Sequence, residues 1–475
     1  MGGISMNSQR RQPWLGQIRH VHMVGVGGIG MSSIASVLLA RGYRVTGSDL
    51  SLSELTNKLA DQGAHIYEGH DKKHVCGADV VVYSSAVDVN QNAETQAAVS
   101  HRIPLISRSE MLGELMRMKY GVGVAGTHGK TTATSMVGRV VAEGGFDPTV
   151  IVGGKVTELN SNAVSGEGDI IVIEADEYDR AFLRLTPALA VITTIEADHL
   201  DIYGNLEEVY KAFTAFAVSV PFFGAAIVCL DDPGVQAIID GIDRRLVTYG
   251  TARQAMVRAE RVRQKGQSTH FDVLASGKLL GSIKLRALGL HNVRNALAAV
   301  AVGLELDIAF DSIKSGLELF SGVQRRFQVL GEKDEILVID DYAHHPTEVL
   351  ATLKAASEGY PDRRIVGIFQ PHLYSRTNDF KDQFARSFFN ADILIVTEIY
   401  PAREKPIPGV TGKLIAELAA ARGHRDVRYA KRKEDVLPIL RDTCESGDVV
   451  LFMGAGDIWR TAREYTEQLC RSAAA

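Results

Sequence analysis

Short apolar runs bounded by glycine and polar turns alternate along the chain with longer stretches in which apolar residues recur at helical spacing. That alternation predicts strands buried on both faces, joined by helices into parallel sheets. A first group has strands at 20–24, 43–46, 78–83 and 104–107, with helices at 31–40 and 110–118. A second has a strand ending at Ala125, a helix at 132–144, strands at 169–173 and 189–193 and an apolar helix at 296–304. Near Gly322 the pattern changes. A polar turn, Gln324-Arg325-Arg326, leads into a strand at 327–330, and further strands at 336–340, 365–369, 393–397 and 449–453 alternate with helical stretches. The fold class expected is α/β in three domains. These are an N-terminal Rossmann-like domain at 17–118, a central P-loop domain at 119–322 and a C-terminal Rossmann-like α/β domain at 323–475, after a disordered segment at 1–16. The 475 residues, at about 150 per domain, agree with three cores.

Composition narrows the class. With 45% hydrophobic and 23% charged residues and a formal net charge of −5, the chain has no electrostatic case for nucleic acid or a membrane surface. An anionic small molecule must then meet local positive groups. Cys76, Cys229, Cys444 and Cys470 are too scattered for a disulfide framework or a zinc site, which fits a reducing cytoplasm. The N-terminal segment has no apolar core, and no apolar run approaches the length of about eighteen that spans a bilayer, so neither export nor membrane insertion is expected.

The candidate chemistry sits where strands end. Gly126-Thr127-His128-Gly129-Lys130-Thr131-Thr132, between an apolar strand and a helix, has the build of a phosphate-binding loop: glycines let backbone N–H groups approach a phosphate, Lys130 reaches the β and γ phosphates, and Thr131 supplies a hydroxyl for Mg²⁺. Val124 stands where the common pattern has its first glycine, so the loop is a shorter variant. Two further strand ends carry acids, Glu174-Ala175-Asp176-Glu177 and Glu196-Ala197-Asp198-His199, placing Glu174 and His199 to hold Mg²⁺. Upstream, Gly25-Val26-Gly27-Gly28-Ile29-Gly30 is a G-x-G-x-x-G turn, with Asp49 19 residues beyond Gly30 and Ser84-Ser85 closing another strand. Such a turn serves a dinucleotide or a sugar-nucleotide, and Asp49 is either a ribose ligand or a solvated strand-end carboxylate. His291, Asn292 and Asn295 open an apolar helix as caps or as purine contacts, with capping the better reading of the residues alone. In the last third, Asp340-Asp341-Tyr342-Ala343-His344-His345-Pro346 and Gln370-Pro371-His372-Leu373-Tyr374-Ser375-Arg376 follow strands, and adjacent histidines point to different faces, against shared metal ligation.

Taken in order, the motifs at 25–31, 126–132, 174–179, 198–203, 291–296, 325–327, 341–348 and 369–376 resemble those of the Mur ligase family, from about residue 20 to the C-terminus. The resemblance implies ATP- and Mg²⁺-dependent joining of L-alanine to UDP-N-acetylmuramate through an acyl phosphate, by a cytoplasmic monomer or weak homodimer of peptidoglycan precursor synthesis. The first domain would hold the UDP sugar through Gly27, Gly28, Ile29, Gly30, Asp49, Ser84 and Ser85. Residues 126–132 would bind ATP, with Asn292 and Asn295 near adenine and Arg326 and Asp341 reaching it from a third domain that closes over the second. Thr131, Glu174 and His199 would hold the metal. Tyr342, His344 and Arg376 would line the site for the muramyl carboxylate and the amine, with Lys130, His199, Arg326 and His344 as the catalytic set. Leu373 and Thr194 depart from the Arg and Asn of many relatives, and Phe213 replaces a carbamoylated lysine that several sister ligases carry fourteen residues past the metal histidine. That replacement favours the alanine-adding branch over a sister ligase that couples a preformed peptide. An NAD-dependent oxidoreductase has no use for the second phosphate loop, and an NTP-driven switch would need no organic acceptor.

Overall fold

The computed structural model describes residues 15–156, 161–402 and 404–471, and the chain divides into two compact units. The first unit comprises the chain up to Lys155 with Leu159–Ala255 and Ala298–Ile313; the second is built mainly of Met256–Leu297 and the chain from Lys314 onward. The segment expected to be disordered lies outside the described residues except for its end, where the Leu15 amide donates to the Tyr43 hydroxyl at 2.7 Å.

The first unit carries two sheets. Strands β1 (His20–Val24), β2 (Arg44–Asp49), β3 (His65–Glu68), β4 (Val80–Tyr83) and β5 (Leu105–Ser107) are hydrogen-bonded in the order β3-β2-β1-β4-β5, all parallel. The order reverses at β1, and in such sheets the crevice at that switch point is the ligand side. The second sheet uses β6 (Tyr120–Ala125), β7 (Thr149–Val156), β8 (Ser161–Val164), β9 (Ile170–Glu174), β10 (Leu189–Ile192), β11 (Ala225–Cys229) and β12 (Leu246–Gly250), in the order β12-β11-β10-β6-β9-β7-β8. Val124 pairs with Glu174 and Ala125 with Ile192, which levels the carboxyl ends of β6, β9 and β10 at one edge. Apolar strands buried on both faces make this possible: β10 and β11 are wholly buried.

The second unit contains an antiparallel ribbon, β13 (Val257–Lys265), β14 (Ser268–Ala275) and β15 (Lys278–Leu285), and a mostly parallel sheet. That sheet orders β16 (Gln328–Lys333), β17 (Ile336–Asp341), β18 (Ile365–Phe369), β19 (Ile393–Thr397), β20 (Val427–Ala430) and β21 (Val449–Met453) as β16-β17-β21-β18-β19-β20. Asp341, Met453 and Phe369 stand level, so the loops after β17, β18 and β21 leave from one edge.

Three expectations are corrected. The C-terminal sheet is not purely parallel, because β16 returns antiparallel along β17 through a turn in which Asp334 and Glu335 both have positive φ. The ribbon at 257–285 was not anticipated: its charged alternation hides strands that pair with each other, although Gly266 and Ser276-Gly277, all at positive φ, mark its two turns. Helices begin earlier than the apolar runs suggest, at Ile29, Lys130 and Leu290, because each grows straight out of a glycine turn whose residues carry little hydrophobic signal.

Phe213 lies on the helix Leu206–Val218, fully buried, with its ring 5.1 Å from Phe182 and edge-on to it. Phe182 also stacks on Phe216 at 5.2 Å. The position is therefore an apolar core site. Phe213→Ala should cost about 3–5 kcal/mol, read as a lower urea midpoint at unchanged slope; a loss below about 0.5 kcal/mol would contradict the packing.

Candidate active site

The phosphate loop spans the gap between β6 and the helix Lys130–Glu143. Gly126 has φ 142 and lies against Thr193, where a Cβ would collide with the threonine hydroxyl, so no other residue fits. Gly129 takes φ 82 at the N-cap and no side chain caps the helix, leaving its first amides and the dipole end available to an anion. Thr194 shapes the rest of the loop: its carbonyl accepts from the Thr127 amide and its hydroxyl from the His128 amide, both at 2.9 Å. The Glu196 amide donates to the Thr127 hydroxyl at 2.9 Å. Threonine at 194 is thus a loop-shaping residue.

Lys130 is buried. Its Nζ donates to the Gly126 carbonyl at 2.7 Å and to the Glu177 carboxylate at 2.8 Å. Burial works against its charge, but Glu177, Asp176 and Glu174 outweigh burial and hold its pKa above the ordinary lysine value. Glu177 pays the other half of this arrangement: burial, opposed by Lys130, pushes its carboxyl up to about 7. The Thr131 hydroxyl donates to Glu174 Oε1 at 2.9 Å, and the Gly153 amide reaches the other oxygen at 2.5 Å. His199, at φ 53, turns its Nε2 to 3.9 Å from Glu177 and 3.8 Å from Asp198. Thr131 and Glu174 offer hard oxygen ligands of the kind a divalent cation at a triphosphate takes, while the His199 imidazole stands beside Glu177 and Asp198. The structure therefore gathers Gly126–Thr132, Glu174 and His199, and adds Glu177, an acid quoted in the sequence motif but given no role there.

In the sugar-nucleotide candidate, the Ser48 carbonyl accepts from the Gly25 and Val26 amides at 2.8 and 3.0 Å, and Asp49 Oδ2 accepts from the Gly27 amide at 2.8 Å. Asp49 is thus neither a purely solvated carboxylate nor wholly free for a ribose: one oxygen closes the turn. Ser84 lies against Gly25, Ser85 follows it at the end of β4, and the helix from Ile29 has no side-chain cap on Gly28. A positive group that the motifs did not reveal stands here. The Arg108 guanidinium packs directly on Gly30 and bonds Asp176 at 3.2 Å.

In the second unit, Asp341 accepts from the Phe327 and Ala343 amides at 2.6 and 2.7 Å, and burial pushes its carboxyl up to about 6. Tyr342 is flanked by two guanidinium groups, Arg325 at 4.8 Å and Arg326 at 5.1 Å from the ring centre. Glu348, which closes the motif 341–348 but has no role in the sequence reading, ties the loop together: it accepts from the His344 amide at 3.1 Å and lies 3.5 Å from Arg326 and 3.2 Å from His344 Nδ1. His344 Nδ1 also donates to the Tyr342 carbonyl at 2.9 Å, which leaves Nε2 as an acceptor. Burial, against Glu348 and with Arg376, lowers its pKa to about 3, so at neutral pH it is a fixed hydrogen-bonding group rather than a proton carrier. The buried Arg376 stands on the first turn of the helix Tyr374–Ser387, and its charge is felt by both His344 and His372. Asn292 and Asn295 do not cap the helix Leu290–Glu305. They lie inside it and are buried, with Asn292 Nδ2 donating to the Leu288 carbonyl at 2.8 Å and Asn295 Nδ2 to Asn292 Oδ1 at 3.3 Å.

Three family models match the chain in this order: the Mur ligase family catalytic domain over 20–120, the Mur ligase middle domain over 124–303 and the Mur ligase glutamate ligase domain over 325–456. The chain belongs to the Mur ligase family. It is 63% identical over 464 residues to the UDP-N-acetylmuramate–L-alanine ligase of Salinibacter ruber, covering 98% of each chain. It is 50% identical to the ligase of the same name from Syntrophotalea carbinolica, covering 96% of this chain and 99% of that one. The crystal structure of the UDP-N-acetylmuramate–alanine ligase of Thermotoga maritima superposes with a TM-score of 0.80 at 30% identity, covering 95% of this chain and 99% of that chain.

The neutral state of His344 has a measurable consequence. A histidine whose folded pKa lies below its unfolded value contributes stability that is complete above the unfolded pKa and declines as pH falls, because only the unfolded chain takes up the proton. Between pH 6.5 and 5 the wild type should lose about 2 kcal/mol more than His344→Gln, since each unit of pH is worth roughly 1.4 kcal/mol per group. Parallel urea titrations across that range check it, and identical pH slopes for the two chains would show that His344 protonates in the folded state.

Proposed function

We propose that this chain is an ATP-dependent acid:amino-acid ligase that joins L-alanine to UDP-N-acetylmuramate, working in the cytoplasm on peptidoglycan precursor. The observation that carries the reading is likeness along nearly the whole chain to ligases of that name, 63% identical in one case; the site supplies the chemistry. A muramyl carboxylate is a poor electrophile. One of its oxygens attacks the γ phosphorus of ATP, ADP leaves, and an acyl phosphate forms. The neutral amine of alanine then attacks the acyl carbon, the amide bond forms, inorganic phosphate departs and the spare protons pass to solvent.

Negative charge crowds the first step, so fixed positive groups are the main requirement. Lys130 would exchange Glu177 for the β and γ phosphates, while the uncapped amides of its helix hold the same oxygens. Arg326, oriented by Glu348 and Tyr342, would add charge at the γ phosphate, and Asp341 would take the ribose side. Thr131, Glu174 and His199 would hold a Mg²⁺ ion, which when bound neutralises the triphosphate. Arg376 would grip the carboxylate of alanine or of the sugar, with Tyr342 and His344 fixing its orientation. The turn Gly27–Gly30, with Asp49, Ser84, Ser85 and Arg108, would take the UDP diphosphate.

Phosphate release should require ATP, UDP-N-acetylmuramate and L-alanine together; release with ATP alone would support a switch instead, and preference for a preformed tripeptide would support the sister activity. Lys130→Ala should lower kcat by about a hundredfold or more with the fold intact, and full activity would remove the loop from the mechanism. Arg376→Lys keeps charge but loses the planar fork, so KM for L-alanine or UDP-N-acetylmuramate should rise about tenfold or more while KM for ATP stays within about twofold. Loss of ATP affinity alone would move Arg376 to the nucleotide side.

A further inference from the structure

Behind the glycine turn of the first unit lies a polar cluster that the proposed chemistry does not use. Glu94, on the helix Ala93–Ser100, has a side chain with no exposure at all. Its Oε1 accepts from His74 Nδ1 at 2.6 Å, and its Oε2 from Ser48 Oγ at 2.5 Å and His70 Nδ1 at 3.0 Å. His22 Nε2 stands 3.7 Å from Oε1, too far for a direct hydrogen bond. His22 is itself held by Thr46, whose hydroxyl lies 2.8 Å from its Nδ1 and 2.9 Å from Nε2 of His20, and Tyr67 stacks on His74 at 3.9 Å. Burial alone would push the carboxyl up, but the bonds from Ser48 and His74 and the neighbouring His22 outweigh it and bring Glu94 down to about 2. The group is a true buried carboxylate.

A hydroxyl such as Ser48 needs only a neutral acceptor. Burying a full charge to receive it is costly unless several partners meet it, and here three imidazoles are recruited to do so. Ser48 is what this hub acts on. Its side chain ends on Glu94, while its carbonyl accepts both the Gly25 and the Val26 amides and its neighbour Asp49 accepts the Gly27 amide. Every donor at the start of the turn is thus referred to two residues, one of which is clamped from behind by Glu94. A glycine-rich turn has the least intrinsic stiffness of any backbone, and a ligand site built from its amides loses affinity when the amides wander.

We propose that Glu94 is a positioning residue for the sugar-nucleotide, fixing the Gly25–Gly30 turn through Ser48. The role rests on the reading of that turn as the UDP-sugar site. Glu94→Gln keeps the shape and removes the charge; Ser48→Ala leaves Glu94 with its imidazoles and cuts only the link to the turn. In the full chain, both should raise Kd and KM for UDP-N-acetylmuramate by about tenfold, while kcat at saturation and Kd for ADP stay within about twofold. Glu94→Asp, which retains the charge, should recover part of the affinity. Titration calorimetry with UDP-N-acetylmuramate and separately with ADP reads both sites on one sample. Wild-type affinity in both variants, or a parallel fall in ADP affinity, overturns the positioning role. A wild-type chain that binds ADP but no UDP-N-acetylmuramate overturns the sugar-nucleotide reading itself and this role with it.

Discussion

The buried ion pair between Lys130 and Glu177 is the contact on which the nucleotide loop depends. A lysine at the mouth of a helix, enclosed by its own loop, would shed its proton or its position without a partner, because a lone buried ammonium is far costlier than a paired one. Glu177 supplies that partner, and the Gly126 carbonyl at 2.7 Å fixes the direction of the side chain. The chain thereby keeps a charged group aimed into a site built for anions. The same carboxylate lies 3.9 Å from His199, and the Tyr203 hydroxyl donates to the Glu177 carbonyl at 2.6 Å, so the strand end, the loop and the short helix Leu200–Tyr203 share one electrostatic centre.

Much of this was legible in the sequence for a simple reason. The strands that carry the site are buried on both faces and read as unbroken apolar runs, so β18, β19 and β21 fall where the pattern puts them. The residues after them are polar and glycine-rich, which exposes strand ends as the place for chemistry. What stayed hidden are the residues that act by long-range pairing. Arg108 begins a helix 78 positions from Gly30 and meets it only through the fold of β1, β4 and β5. Glu94 sits in an ordinary-looking helix, and nothing local says that three histidines from other segments converge on it. Glu348 and Thr194 carry their meaning in bonds to backbone amides, and spacing does not predict which amide a side chain will find.

The two units treat their titratable groups in opposite ways. Around the phosphate loop a lysine and an acid are held together, Lys130 keeping its proton beside Glu177 while burial pushes the Glu177 carboxyl up to about 7. Around Tyr342 the imidazoles are buried among guanidinium groups instead, and His344 and His372 fall to about 3 and about 4 through burial first and Arg376 next. Positive charge there is carried by arginines, which keep their protons at any physiological pH. If this side takes a carboxylate, as proposed for Arg376, it has no need of a titrating histidine and gains from histidines that stay neutral and cannot compete with the arginine for the anion.

Backbone strain marks the start of the helix that carries Arg376. Leu373 holds φ 70 with ψ 139, a conformation that an L side chain occupies only when its surroundings insist, and it stands at the N-cap of the helix that carries Arg376. The insistence is visible: the Leu373 amide donates to the Tyr400 carbonyl at 3.0 Å, the Tyr400 amide returns to the Pro371 carbonyl at 2.8 Å, and His372 stacks on the Tyr400 ring. The Ser375 amide and hydroxyl both end on Glu404, which pins the first turn from the other side. With its first turn held at both edges, the helix presents a buried Arg376 at one fixed place. The strain at Leu373 thus goes with a helix start that holds the Arg376 guanidinium in one place.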